Sequence, residues 1–592
     1  MKSFFKYFFA SLLAMVLAFL VVILIISGAI AGIMSGSDKT VTIKENSTLV
    51  MEMNRRIVDR ASNNPFQNFD VASLTGMEGN STMGLNTILT NLKKAKEDPN
   101  IKGIFIKPER LSAGWATIEE VRNALIDFKE SGKFIISYAN FYTQPAYYLA
   151  SVADKIYLNP EGSYTLSGLS AQLMFFKNTL EKLGIEPQII RHGRFKAAVE
   201  PFMLTEMSKE NRLQTETYIG SIWNHMLAGI SKERGIDVVT LQKYTDNLDI
   251  RQVSDAVKAN LIDGAKYYDE VANELKMRTD STSKEEFIAF NFNKYENTPK
   301  LKTDKLITDL SKIAVIYAQG EIGMEKGTNE KIGLENIAKA LSEARKDEKI
   351  KAIVLRINSP GGSALTSEVI LREAMLAHQE KPLIVSMGDV AASGGYYIAC
   401  AADTIVASPN TITGSIGVFG LMFNAQKLMN NKLGITTSTV KTGKLADMGT
   451  QTRKLTPLEY DIIQQDVIRV YKTFVNHVSR ARNMSFDEVD EIGEGRVWTG
   501  SDAKEIGLVD VWGGLNTAIA IAAEKANLDD YRIVELPKQK DPFAQLLASM
   551  EEGVYARIFD FNSEISRYSG HVFNALNMKG IQTRMEYDLD IK

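Results

Sequence analysis

At 592 residues the chain is too long for one ordinary domain, so two or more hydrophobic cores are expected. A formal net charge of -3 without a concentrated basic block argues against nucleic acid as a partner, because phosphate binding requires a basic surface. The lone cysteine, Cys400, excludes an internal disulfide and a cysteine-rich metal site.

The N-terminal segment is predicted to be a membrane anchor. Residues 8–34 are almost entirely apolar and follow two lysines. This stretch is longer than the apolar core of a signal peptide and long enough to cross a bilayer. The positive-inside rule keeps the lysines in the cytoplasm and places the rest of the chain outside it. A cleaved signal peptide is the alternative, because residues 28–32 resemble a cleavage site.

The remainder of the chain is predicted to be an α/β protein. Short β-branched runs alternate with stretches that carry apolar residues at helical spacing. The clearest predicted strands are Ile313–Tyr317, Ala352–Ile357 and Pro382–Ser386, and the clearest helices are Gly333–Lys346 and Leu365–His378. Strand and helix in alternation predict a parallel sheet with right-handed crossovers.

An internal repeat divides this α/β body. The sequence from Gly84 aligns with that from Gly333, and the sequence from Tyr147 aligns with that from Tyr396, both at an offset of 249 positions. Two ungapped matches at one offset predict two copies of one unit. The predicted division is residues 1–40 for the anchor, 41–304 for the first repeat, 305–540 for the second repeat and 541–592 for a C-terminal tail.

Ser393 is the candidate nucleophile. A predicted strand ends at Ser386, a turn follows, and Ser393 and Gly394 open an apolar helix. Unpaired N–H groups and the helix dipole favour an oxyanion at such a position. Taken alone, this segment favours the simpler interpretation that Ser393 only caps the helix and the glycines form a turn.

Two further glycines favour the catalytic interpretation. Gly361 and Gly362 lie between a predicted strand and a helix, where a backbone N–H can point into a cleft at the strand ends. With Gly394 they supply the two donors of an oxyanion hole. A phosphate-binding loop is a weaker alternative, because the Gly-x-x-x-x-Gly-Lys motif is missing.

The first repeat lacks these features. At the offset of 249, Gln144 replaces Ser393 and Pro145 replaces Gly394. Because the first repeat lacks both the serine and the glycine that follows it, the second repeat is predicted to carry the chemistry.

Lys196 is the candidate general base. None of the five histidines lies in a context like that of Ser393. A lysine with a pKa near 10.4 is only about 0.04% neutral at pH 7, so burial or a nearby positive charge must lower its pKa. Lys196 lies in the apolar run 195–199, although a surface lysine with a packed stem is the simpler alternative. After a one-residue adjustment to the offset, Ala446 occupies the aligned position in the second repeat, so each repeat carries one member of the pair.

These motifs resemble the signal peptide peptidase A family, also called protease IV, in its long two-repeat form. The matching segments are "GRFKAAVEPF" around Lys196, "NSPGGS" from Asn358, "GDVAASGGYYIACAAD" around Ser393 and "TGSIGV" from Thr413. The resemblance implies a Clp-protease/crotonase-like fold in each repeat and a serine endopeptidase that uses Ser393 and Lys196. It also implies that Ser415 positions the lysine and that no cofactor or metal is used.

The resemblance also implies a location and partners. Members form a homotetramer at the outer face of the cytoplasmic membrane and degrade signal peptides after their release. Two other classes remain as alternatives: a crotonase-type enzyme acting on acyl-CoA thioesters, and a membrane scaffold without catalysis. The predicted anchor argues against a cytosolic Clp-type protease with an ATPase partner.

Overall fold

The computed structural model describes residues 6–8, 11–18, 21, 42–63, 82–279, 287–299, 311–539 and 581–585. Residues 6–8 and 11–18 are helical and exposed. Among the described residues, no helix combines the length and apolar character needed to cross a membrane. Most of the predicted anchor, the predicted boundary between the repeats and most of the predicted tail lie outside the described residues.

The first repeat is built on a parallel sheet whose strand order is β8-β6-β5-β4-β1-β9. The strands up to β9 are β1 (Ser47–Glu52), β2 (Arg56–Val58), β3 (Thr82–Gly84), β4 (Ile101–Lys107), β5 (Phe134–Tyr142), β6 (Lys155–Tyr164), β7 (Glu186–His192), β8 (Gly264–Ala265) and β9 (Ala289–Asn291). The helices are α1 (Leu85–Glu97), α2 (Trp115–Lys129), α3 (Gln144–Ala150), α4 (Lys177–Leu183), α5 (Glu200–Met203), α6 (Lys209–Arg234), α7 (Val238–Asn247), α8 (Val253–Lys258) and α9 (Tyr268–Arg278).

The second repeat is built on a sheet of order β17-β15-β13-β11-β10-β19, which β14 and β18 extend beside β13. The strands are β10 (Lys312–Gln319), β11 (Ile350–Ser359), β12 (Gly361–Ser363), β13 (Leu383–Ala392), β14 (Thr404–Ala407), β15 (Ile412–Gly414), β16 (Val418–Asn424), β17 (Val497–Thr499), β18 (Val511–Trp512), β19 (Arg532–Leu536) and β20 (Gln582–Arg584). The helices are α10 (Asn336–Lys346), α11 (Ala364–Glu380), α12 (Gly394–Ala399), α13 (Pro457–Arg482), α14 (Phe486–Ile492), α15 (Gly500–Glu505) and α16 (Leu515–Lys525).

The two repeats share one architecture. Strands β4, β5 and β6 begin at positions that the offset of 249 carries onto the starts of β11, β13 and β14. The central strands of both sheets are apolar on both faces, because helices cover a parallel sheet on each side. The predicted strands and helices of the second repeat are confirmed. The turn predicted after Ser386 is wrong: β13 continues to Ala392, because Val390, Ala391 and Ala392 pair with β15.

A smaller antiparallel sheet connects the repeats, in the order β12-β20-β16-β7. Strand β7 comes from the first repeat but pairs along its whole length with β16 of the second, from Glu186 opposite Asn424 to His192 opposite Val418. The chain segment that follows β7 therefore lies against the second repeat.

Buried charges also join the repeats. The guanidinium of Arg356, within β11, lies 2.7 Å from the carboxylate of Asp59 and 2.6 Å from that of Glu120, both of the first repeat. Nearby, Asp389 of β13 accepts hydrogen bonds from the backbone N–H and the hydroxyl of Thr117 at 2.8 and 2.7 Å. Burial raises the pKa of both Glu120 and Asp389. The buried ion pairs of Arg356 and the hydrogen bonds of Asp389 therefore link the two repeats.

Candidate active site

Ser393 lies in a strained turn between β13 and α12. Its φ is 54° and its ψ is -112°, a conformation that a residue with a side chain adopts only under constraint. Its N–H donates to the Gly414 carbonyl at 2.8 Å, and its own carbonyl accepts from the Tyr397 N–H at 2.8 Å. The surrounding backbone therefore holds the side chain in one place, fully buried.

Lys196 meets Ser393 from the first repeat. It follows β7, and its Nζ lies 2.9 Å from Ser393 Oγ. The same Nζ donates to Ser415 Oγ at 2.9 Å and to the Ser415 carbonyl at 3.3 Å. All three side chains are 0% exposed. The structure thus brings together three residues that the sequence singled out.

Two glycines make room for the lysine side chain. A β-carbon added at Gly495 would lie 2.7 Å from Lys196 Cβ, and one added at Gly417 would lie 3.1 Å from Lys196 Cδ. Both distances are shorter than ordinary van der Waals contact. Sequence reasoning missed these glycines, because neither carries a chemical group and only the folded chain places them beside the lysine.

A buried network holds the segment that carries Lys196. The Arg191 guanidinium donates to the Lys196 carbonyl at 3.1 Å and lies 3.7 Å from the Glu200 carboxylate. Glu200 is fully buried and accepts hydrogen bonds from Asn211 Nδ2 at 2.9 Å and from the Ser208 N–H at 3.2 Å. These contacts hold the Lys196 carbonyl and the chain segment that follows the residue.

The predicted oxyanion glycines lie beside Ser393. Gly361 and Gly362 form the start of β12 with φ of 95° and 151°, which favours glycine over any residue with a β-carbon. The Gly361 N–H donates to Ser359 Oγ at 3.1 Å. Gly394 is the first residue of α12, where N–H groups have no partner within the helix. Because Ser359 engages Gly361, the geometry favours Gly362 as the partner of Gly394.

The first repeat fills the corresponding place with an amide. Gln144 Oε1 accepts the N–H groups of Ser167 and Gly168 at 2.9 Å, and its Nε2 donates to the Gly168 carbonyl at 3.0 Å. At the offset of 249, Gly168 corresponds to Gly417, whose carbonyl lies 3.4 Å from Ser393 Oγ. Gln144 therefore satisfies the backbone where the second repeat has its serine.

Cys400 behaves as the buried apolar residue that its sequence context indicates. It is buried in the hydrophobic core of the second repeat, and burial raises the pKa of its thiol to about 12. A thiol with so high a pKa is not a nucleophile near neutral pH.

Comparison with known proteins gives a consistent result. The profile of peptidase family S49 matches residues 127–281 and 375–529, one match in each repeat, and the Clp protease profile matches residues 305–413. The "Serine protease SPPA, chloroplastic" of Arabidopsis thaliana is 34% identical over 86% of this chain and 75% of its own length. "Protease 4" of Salmonella typhi is 34% identical over 89% of this chain and 85% of its own. The "Putative signal peptide peptidase SppA" of Enterococcus faecium is 35% identical over 41% of this chain and 70% of its own.

Proposed function

The chain belongs to peptidase family S49, in the long form with two Clp-protease-like repeats, and is a serine peptidase; we propose that Ser393 is its nucleophile and Lys196 its general base. The observation that carries this proposal is the 2.9 Å separation of Lys196 Nζ from Ser393 Oγ in a fully buried site. Removal from water penalises the charged form of an amine, which favours the neutral lysine that a base requires.

The proposed reaction passes through an acyl-enzyme. Neutral Lys196 accepts the hydroxyl proton as Ser393 Oγ attacks the peptide carbonyl carbon. The N–H groups of Gly394 and Gly362 stabilise the oxyanion, and the protonated lysine then gives its proton to the leaving amine. A water molecule deprotonated by Lys196 hydrolyses the ester. Ser415 accepts a hydrogen bond from Nζ and so keeps the lysine aimed at Ser393.

We further propose that the substrates are signal peptides after their release, and other apolar peptides. Support comes from the name of the Enterococcus faecium relative and from the apolar N-terminal stretch of this chain. In this proposal residues 8–34 anchor the chain in the cytoplasmic membrane and the catalytic body lies on the outer face.

Self-assembly is also part of the proposal, and the internal repeat supports it. Within one chain, β7 pairs with β16. At the offset of 249, the counterpart of β7 is residues 435–441 and that of β16 is residues 169–175. Residues 435–441 are all exposed, with Val440 97% exposed, and residues 169–175 are only partly buried. Pairing these segments between copies repeats the internal contact head to tail, and such a contact forms a closed ring, such as a homotetramer, when the rotation between copies closes.

The test of assembly is the mass of the particle in mild detergent. Val440→Pro removes an N–H from the proposed pairing and is expected to give monomers, whereas Val440→Thr keeps the N–H and is expected to assemble. Assembly of the proline variant as in the parent chain would overturn this interface.

The test of the dyad is peptidase activity of the full chain in detergent micelles. Ser393→Ala and Lys196→Met are each expected to lower kcat/KM by at least about 1000-fold, while Ser131→Ala, remote from the site, retains the parent rate. Labelling of Ser393 by a fluorophosphonate is expected in the parent chain only. Full activity of Lys196→Met would contradict the assignment of the base, and hydrolysis of acyl-CoA thioesters in place of peptides would favour the crotonase-type alternative.

A further inference from the structure

An arginine outside the proposed dyad links the segments that carry its two members. Arg496 lies in the turn before β17, and its guanidinium carbon is 5.2 Å from the ring centre of Phe195 and 4.0 Å from that of Trp498. Phe195 is the neighbour of Lys196 in the first repeat. We propose that Arg496 is a positioning residue, which bridges these two rings and so holds Lys196 at a fixed distance from Ser393. The inference rests on the proposed function and adds a residue that acts through the dyad.

On the lysine side, the turn that carries Arg496 holds the segment of the general base. The Phe195 N–H donates to the Glu494 carbonyl at 3.0 Å. Gly495 packs against the Lys196 backbone, because a β-carbon added to this glycine would lie 2.8 Å from Lys196 Cα. The guanidinium of Arg496 then contacts the Phe195 ring. Three consecutive residues of one turn therefore fix two consecutive residues of the other repeat.

On the serine side, the same arginine contacts the backbone that holds the nucleophile. The Arg496 carbonyl accepts the N–H of Ser415, whose hydroxyl contacts the proposed base, at 2.7 Å. Trp498 packs against Gly414, because a β-carbon added to this glycine would lie 2.7 Å from Trp498 Cδ1. The Gly414 carbonyl in turn accepts the Ser393 N–H at 2.8 Å. The ring that Arg496 contacts therefore supports the strained serine turn through one glycine.

The two rings are the principal contacts of this guanidinium. Among the described residues, the buried Nε of Arg496 has no hydrogen-bond partner. Burial lowers the pKa of Arg496, and the Asp502 carboxylate opposes this effect, although that carboxylate already accepts a hydrogen bond from the Thr499 hydroxyl at 2.7 Å. A guanidinium is planar and weakly hydrated, and the face of an aromatic ring attracts it within about 6 Å of the ring centre. Arg496 therefore fits the part of a planar connector better than that of an ion-pair partner.

The first experiment measures kcat and KM of the full chain in detergent micelles with a fluorogenic peptide, per folded molecule. Arg496→Met keeps an apolar stem but removes the guanidinium, and it is expected to lower kcat at least about 10-fold with KM unchanged within about twofold. Arg278→Met is the matched control: this guanidinium carbon lies 5.8 Å from the ring centre of Phe134, in the first repeat and away from the dyad, and the parent kcat is expected. Arg496→Met with lower stability but the parent kcat would overturn the positioning role.

Variants of Phe195 test whether its ring is the group through which Arg496 acts. Phe195→Leu is expected to lower kcat at least about 10-fold, whereas Phe195→Tyr keeps the ring and is expected to stay within about threefold of the parent rate. Adding Arg496→Met to Phe195→Leu is expected to lower kcat by less than a further factor of about three, because the contact is already lost. Effects that multiply in the double variant would overturn the proposed contact.

Arg496→Lys separates stacking from charge. An ammonium keeps the charge but is a compact group that cannot lie across two rings, so kcat is expected to be at least about fivefold below that of the parent chain. The acidic limb of the kcat–pH profile is expected to stay in place in both Arg496 variants. The parent kcat in Arg496→Lys, with an acidic limb that moves to higher pH in Arg496→Met, would overturn the bridging role and assign the residue an electrostatic one.

Ser393→Ala and Lys196→Met, measured in the same assay, keep this inference distinct from the proposed function. Loss of activity in both variants, together with the parent kcat in Arg496→Met, would overturn this inference alone. Activity that persists in Ser393→Ala or in Lys196→Met would overturn the proposed function itself.

Discussion

Lys196 Nζ lies 2.9 Å from Ser393 Oγ, although the two residues are 197 positions apart and belong to different repeats. The lysine reaches the serine because β7 leaves the first repeat and pairs with β16 of the second. Each repeat carries one member of the proposed pair. The proposed dyad therefore depends on correct packing of both repeats, and mutations can disable it without touching either residue.

Gly495→Ala is expected to disable the proposed dyad without changing either of its two residues. The added β-carbon would lie 2.7 Å from Lys196 Cβ, so the lysine must move, and a displacement of about 1 Å costs about 100-fold in rate. We expect kcat/KM for a fluorogenic peptide to fall by about that factor.

Gly507→Ala is the matched control for Gly495→Ala. The φ of Gly507 is 80° and that of Gly495 is 82°, so both substitutions cost about 1–2 kcal/mol of backbone strain. No atom lies within 4 Å of a β-carbon at Gly507. Gly507→Ala is therefore expected to lower the free energy of unfolding without lowering kcat. Equal loss of activity in both variants would attribute the effect to strain alone.

Ser415→Ala tests the positioning of the lysine. The substitution removes the hydroxyl that accepts a hydrogen bond from Lys196 Nζ at 2.9 Å. Lys196 becomes charged as it takes the proton from Ser393, and a hydrogen bond to a charged group contributes about 1.5–3 kcal/mol, so kcat is expected to fall about 10- to 100-fold with little change in KM. Ser415→Thr retains a hydroxyl and is expected to restore most of the rate. Without that hydroxyl the protonated lysine loses a hydrogen-bond acceptor, so the acidic limb of the kcat–pH profile is expected to move to lower pH. A purely structural role of Ser415 would leave the profile in place.

Much of the fold could be predicted because the repeat is visible in the sequence. The apolar runs that became β11 and β13 are continuous, as buried parallel strands require, and the helices between them carry regular apolar spacing. The offset of 249 then carried the second repeat's pattern onto the first. The pairing of β7 with β16 could not be predicted, because a strand's partner is decided by tertiary packing and not by its own residues.

Part of the candidate site could likewise be predicted from the sequence, and part could not. Ser393, Lys196 and the glycine donors could be singled out because their residue types stand out against their neighbours. Gly417 and Gly495 could not, since their contribution is the space they leave beside the lysine. The position of β20 was also missed: a short polar strand after a long connection carries no periodic signal, and only its partners identify it.

Gln144→Ala tests whether Gln144, which corresponds to Ser393 in the first repeat, has a structural role. The amide makes three hydrogen bonds to the backbone of Ser167 and Gly168. Ser167 is exposed and Gly168 only partly buried, so water can replace part of these hydrogen bonds. A hydrogen bond contributes about 0.5–1.5 kcal/mol net, so loss of the three is expected to lower the free energy of unfolding in urea by about 1–3 kcal/mol. Activity per folded molecule should not change. Gln465→Ala removes an exposed glutamine bonded only within its helix and is expected to shift stability by less than about 0.5 kcal/mol. A lower kcat in Gln144→Ala would instead indicate that this part of the first repeat contributes to catalysis.

Arg356→Met tests how strongly buried charge holds the repeats together. The substitution leaves the carboxylates of Asp59 and Glu120 buried without their cation, which costs about 3–5 kcal/mol. Burial already raises the pKa of Glu120, so its ionised form is disfavoured in the folded chain. Stability of the variant is therefore expected to be greatest at low pH and to decline as the pH rises through that raised pKa. Combining Arg356→Met with Asp59→Asn and Glu120→Gln removes the unpaired charges and is expected to recover most of the loss and flatten the pH dependence. A triple variant as unstable as the single one, measured by urea unfolding from pH 5 to pH 8, would assign the loss to packing and not to charge.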